Sequence, residues 1–103
     1  VAAADAAEAW YLALTVKDPA HRVFNMRSER RRMGDVTAHL RRILPDSEIS
    51  VGTELPPFLF HLMNNDRLRN ELGFKPRYTM ETGMTHFLNN IRSMAGLPPV
   101  APA

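Results

Sequence analysis

Apolar residues recur at helical spacing in several stretches of this 103-residue chain, with short β-rich runs between them. Ala6, Ala9, Trp10, Ala13 and Leu14 share one stripe, which predicts a first helix over residues 3–16. Small residues on that stripe let a helix approach a sheet closely, and Asp5, or the residues just before it, can cap its start. Pro19 ends the pattern, because the residue before a proline is held out of the helical region. "RVFNM", from Arg22 to Met26, follows a turn and reads as a short strand. Met33, Val36, Leu40, Ile43 and Leu44 then mark one face of an amphipathic helix that closes at Pro45. Its start is poorly capped, since Arg32 stands where a Ser or Thr would serve. "EISVG" gives a second short strand, and "TELPPFLFHLM" an apolar loop carrying two prolines.

The following stretch, "NNDRLRNELGFKPRYTMETGM", is dense in stop and start signals. Asp66 is a good N-cap for a short helix from Arg67 to Leu72. Gly73 falls where the residue after a helix needs a positive φ, and Phe74 can fold back as the accompanying apolar contact. Pro76 keeps the helix from resuming. Thr79 caps a final helix whose stripe is Met80, Met84, Phe87, Leu88 and Ile91, with Glu81 suited to the dipole at its start. Gly83 costs that helix about 1 kcal/mol relative to Ala. Trp10 and the methionines at helical spacing read as core. "GLPPVAPA" reads as a frayed tail.

Composition narrows the class. Hydrophobic residues make up 45% of the chain, a globular value, and a domain of this size has marginal stability by itself. There is no cysteine, hence no disulfide framework and no thiolate zinc site, which suits a reducing cytoplasm. No apolar run approaches the ~20 residues of a membrane span. Asp5 and Glu8 interrupt the apolar core that a signal peptide would need at the start. The sequence begins at Val1 rather than Met, which reads as a piece of a longer protein. Charge is uneven: seven arginines against two acids, Glu29 and Asp35, lie between Arg22 and Arg42 in a chain of net charge +2. Such a cluster can meet phosphate or nucleic acid, or simply face solvent. His21, His39, His61 and His86 show no metal-ligand spacing, so no metal is expected.

The order of these pieces resembles the C-terminal part of the extended short-chain dehydrogenase/reductase family, the NAD-dependent sugar epimerases and dehydratases. The matching residues are the helix "DAAEAWYLAL", the pair Phe24-Asn25 closing "RVFNM", then "MGDVTAHLRRIL" and "EISV", and a closing signature. That signature is Asp66, then Leu72-Gly73-Phe74-Lys75-Pro76, then Thr79, Glu81 and Gly83. The resemblance runs from about Ala2 to Arg92. It implies a mixed α/β fold: the last helix–strand unit of a Rossmann-type lobe over residues 1–26, a small, mainly helical substrate-binding lobe with short strands over 27–97, and a Pro-rich tail over 98–103. It also implies that the first helix lies against the nucleotide-binding sheet, so that Trp10 would stand largely in water wherever that sheet is lacking.

The family's chemistry needs a Gly-rich turn for the cofactor pyrophosphate and a Tyr-x-x-x-Lys pair for proton transfer. This chain has neither, since Tyr11 and Tyr78 are followed four residues later by Thr15 and Thr82. The resemblance therefore implies the substrate-binding part of a cytoplasmic, homo-oligomeric enzyme whose NAD or NADP is bound by the rest of the enzyme chain. Asn25, Arg27, His61 and Asn64 are its candidate substrate contacts. The loop before Asp66 lacks the Arg that nucleotide-sugar enzymes of the family use on a diphosphate, and "RSERRR" replaces a Gly-rich loop after Asn25. A smaller compound, such as a sugar acid or a carbonyl compound, becomes as good a candidate. The rival readings are an Arg-rich helical module for nucleic acid, without interleaved aromatics or a known motif to support it, and a protein-docking module built on Leu55 to Met63.

Overall fold

The computed structural model describes residues 1–54 and 63–100. Four helices run along them: α1 (Ala3–Thr15), α2 (Met33–Ile43), α3 (Asp66–Leu72) and α4 (Met80–Met94). There is no strand among the described residues. The expected mixed α/β fold is thus corrected to an all-helical one. Neither Arg22–Met26 nor "EISVG" pairs in a ladder, because β-rich composition makes a strand only where another strand takes up its backbone groups. The described residues fall into two compact units, 1–30 with 63–79 and 31–54 with 80–100.

In the first unit α1 packs on α3. Its core is Ala9, Leu68, Leu72 and Phe74, flanked by the partly buried Leu12, Val16, Phe24 and Met26. Phe74 is only 1% exposed, and burying it contributes about 2–3 kcal/mol. The inward face of α1 is thus Asp5, Ala9 and the partly buried Leu12, continued by Val16 just after the helix, not the Ala6–Trp10–Leu14 stripe. Trp10 is 72% exposed and Leu14 80%, so Trp10 is no core residue. The reason is a buried carboxylate that turns the helix. Asp5 does not cap α1, whose N-cap is Ala2 and which has no side-chain cap. Its Oδ1 instead accepts the Arg77 N–H at 3.0 Å and its Oδ2 the Tyr78 N–H at 3.2 Å.

Gly73 ends α3 as expected, with φ 69°, a conformation that glycine enters at no steric cost. Its N–H donates to the Arg69 carbonyl at 3.0 Å and the Phe74 N–H to the Leu68 carbonyl at 3.4 Å. These bonds close the helix and turn Phe74 into the core.

In the second unit α2 packs on α4. The buried residues of α2 are Thr37, His39 and Ile43, while Met33 is exposed. His39 Nε2 is hydrogen-bonded to Thr85 Oγ1 at 2.9 Å, a polar tie between the two helices. The start of α2 is better held than its sequence promises, because Asp35 accepts the Arg32 N–H at 3.1 Å, the returning half of a capping box. Arg31 forks onto the Glu81 carboxylate at 2.6 and 3.1 Å. The methionine and aromatic stripe of α4 is not a closed core: no residue of α4 is fully buried, and Phe87, Ile91 and Met94 are exposed. The tail is held as far as Val100, whose N–H donates to Asn89 Oδ1 at 2.8 Å, and the Pro98 carbonyl accepts from Arg92 Nε at 2.6 Å. Two side-chain bonds thus order a segment that its composition marks as frayed.

Candidate functional site

The first unit carries an open cleft of about 450 Å³ lined by Val23, Asn25, Asn64, Asp66 and Arg67. Its first wall comes from the run that reads as a strand. Alternation survives there without a ladder: Phe24 and Met26 are partly buried against the core, which leaves Val23 and Asn25 exposed at the cleft. The second wall is the approach to α3 and its first turn. Leu68 and Leu72 anchor that helix in the core, so its first turn is fixed beneath the opposite residues.

Two asparagines shape this corner. Asn64 Oδ1 accepts the Asp66 N–H at 2.7 Å, an Asx turn that starts α3. Asn65 donates from Nδ2 to the Arg27 carbonyl at 2.9 Å, tying one wall to the other. Asp66, expected as the cap, is instead the first residue of α3, and its Oδ1 pairs with Arg69 at 2.5 Å. An exposed pair of this kind adds no more than about 1 kcal/mol.

Of the four candidates from the sequence, Asn25 and Asn64 meet in the cleft. Arg27 supplies its carbonyl to the tie and is not among the lining side chains. His61 lies outside the described residues, as do Leu55 to Leu62 of the apolar loop. Asp66 and Arg67 also line the cleft, although the sequence marks Asp66 only as a cap and Arg67 only as a helix start. An i, i+3 pairing of Asp66 with Arg69 was open to a spacing argument and would have separated Arg67 from its neighbours.

Other polar constellations serve the fold. Glu71 accepts both the backbone N–H of His21, at 2.9 Å, and its ring Nδ1–H, at 2.7 Å. Desolvation alone would raise the Glu71 carboxyl, but the hydrogen bonds and charge of His21 outweigh it and hold the group below its ordinary value. Arg77, whose N–H is held by Asp5, sets its guanidinium on Glu8 at 2.9 Å. No group of three or more His, Cys, Asp or Glu able to hold a metal occurs among the described residues. None of the described helices is long and apolar enough to cross a membrane. No protein-family model, curated protein or solved structure matches this chain.

Proposed function

We propose that this chain is the substrate-binding, C-terminal part of a cytoplasmic NAD(P)-dependent epimerase, dehydratase or reductase acting on a sugar or sugar-like hydroxyl or carbonyl compound. The observation that carries the reading is the meeting of Asn25 and Asn64, 39 positions apart, at one cleft. Both are substrate candidates on the family resemblance alone. Asparagine amides offer donors and an acceptor in fixed planar geometry, which suits the alternating hydroxyl and carbonyl oxygens of a sugar. Val23 gives the cleft one apolar wall against which a sugar ring face can rest. Hydride transfer needs residues this chain lacks, so NAD or NADP belongs to the rest of the enzyme, and the role of this chain is to bind and orient. An Arg-rich nucleic-acid module is less well supported, because Arg31 is taken up by Glu81 and Arg41 by the Ile49 carbonyl.

The test is the longer gene and its product. A Gly-rich turn and a Tyr-x-x-x-Lys pair should be encoded upstream of Val1, and the whole enzyme should turn over NAD(P) with a sugar substrate. Asn25→Ala or Asn64→Ala in that enzyme should lower kcat/KM about tenfold, the loss of one or two substrate hydrogen bonds. An upstream sequence without either motif ends the reading.

A further inference from the structure

The two charged residues lining the cleft, Asp66 and Arg67, are not equally engaged. Asp66 gives its carboxylate to Arg69, one helical turn away. Arg67 has no hydrogen-bond or ion-pair partner among the described residues. The amides add to the imbalance. Because Asn64 Oδ1 accepts the Asp66 N–H, its amide orientation is set, and a ligand is offered both Nδ2 donors beside one remaining lone pair on Oδ1. The cleft thus presents a guanidinium unpaired among the described residues and several amide donors, a surface for a ligand rich in acceptors and carrying negative charge.

We infer that the compound bound here is a sugar acid, its single carboxylate gripped by Arg67 while Asn25 and Asn64 hold its hydroxyls. This rests on the sugar-binding reading above and names its substrate class. A carboxylate matches the planar fork of a guanidinium with two parallel hydrogen bonds. A nucleotide diphosphate carries at least two charges and calls for further cations, whereas the described lining residues include one arginine and no lysine. The volume of about 450 Å³ also lies toward the small end of small-molecule sites, which run from roughly 300 to 1,000 Å³.

The experiment is a titration of the isotope-labelled 103-residue chain, followed by nuclear magnetic resonance at low salt, where an exposed charge is least screened. The ligands are glucuronate, glucose and inorganic phosphate. Glucuronate should shift the side-chain amide signals of Asn25 and Asn64 and the Arg67 Nε–H, and should bind at least about tenfold more tightly than glucose. Arg67→Gln should bring the ratio of the two sugars to about one while keeping the dispersed spectrum of a folded chain, and Arg67→Lys should restore part of it as a charge without the fork. Equal binding of glucose and glucuronate by the unaltered chain would overturn this inference and leave the sugar-binding reading standing. Phosphate shifting the same signals as strongly as glucuronate would overturn the carboxylate assignment. No response of these signals to either sugar would overturn the inference and the sugar-binding reading together.

Discussion

Asn65 donates its side-chain amide to the Arg27 carbonyl at 2.9 Å, joining two segments that lie 38 residues apart. This bond holds the Asn25 wall of the cleft to the residue that leads into α3. Asn65→Ala should cost about 1 kcal/mol in urea denaturation, the worth of one partly buried hydrogen bond. It should also weaken ligand binding at the cleft at temperatures where the variant is fully folded. Unchanged affinity in a destabilised variant would show that the bond supports the fold without shaping the cleft.

Asp5 is the most consequential single polar residue of the first unit. Its buried carboxylate is the acceptor for two backbone N–H groups, so Asp5→Ala strands both and should cost about 2–4 kcal/mol, enough to unfold a marginal domain. Asp5→Asn keeps the volume but turns an NH₂ toward one of the two donors, and should rescue little. A thermal unfolding midpoint for Asp5→Asn within a degree or two of the parent would contradict the two-acceptor account.

Gly73 separates strain from crowding. A Cβ built there meets nothing within 4 Å, so only its φ of 69° resists substitution. Gly73→Asn should therefore be mild and Gly73→Val costly by about 1–3 kcal/mol, because a β-branched residue fits the left-handed region poorly. Differential scanning calorimetry of the two variants side by side reads the difference, and equal shifts would argue against strain as the cause.

The Glu71–His21 contact sets an acid limb of stability. The folded carboxyl sits below its ordinary value of 4.5, so folding favours the ionised form. That contribution is fully present above pH 4.5 and is lost as pH falls through the lowered folded value. Denaturation midpoints measured from pH 6 downward should fall more steeply in the parent than in Glu71→Gln. Parallel curves for the two proteins would remove the contact from the acid response.

Trp10 is the sole tryptophan and reports on α1 directly. In dilute solution its fluorescence should be water-like and open to iodide quenching, and Trp10→Ser should change stability by no more than about 0.5 kcal/mol. Quenching that disappears as concentration rises, with a matching rise in sedimentation rate, would mean that a second copy covers the exposed Trp10–Leu14 face.

The sequence determined what is local. Each α-helix is held by bonds four residues apart, so periodicity, Pro45 and Gly73 place α1, α2 and α3 and the start of α4 to within a residue or two. The resemblance singles out Asn25 and Asn64, and the fold decides that both line one cleft. Tertiary structure decided everything that needs a distant partner. "RVFNM" has the composition of a strand and even its alternation, but no other segment among the described residues pairs with it, so the α/β class fails. Trp10 and Leu14 lie outward because Asp5, on the other face of α1, is drawn inward by the N–H groups of Arg77 and Tyr78, over seventy residues away. His39 is buried because Thr85 stands opposite it. Arg67 joins the cleft, unpaired among the described residues, because folding brings Asn25 to it and helical spacing gives Asp66 to Arg69. Such a carboxylate, imidazole or guanidinium has the same local sequence signature whether it meets water or protein, and only the folded chain distinguishes the two.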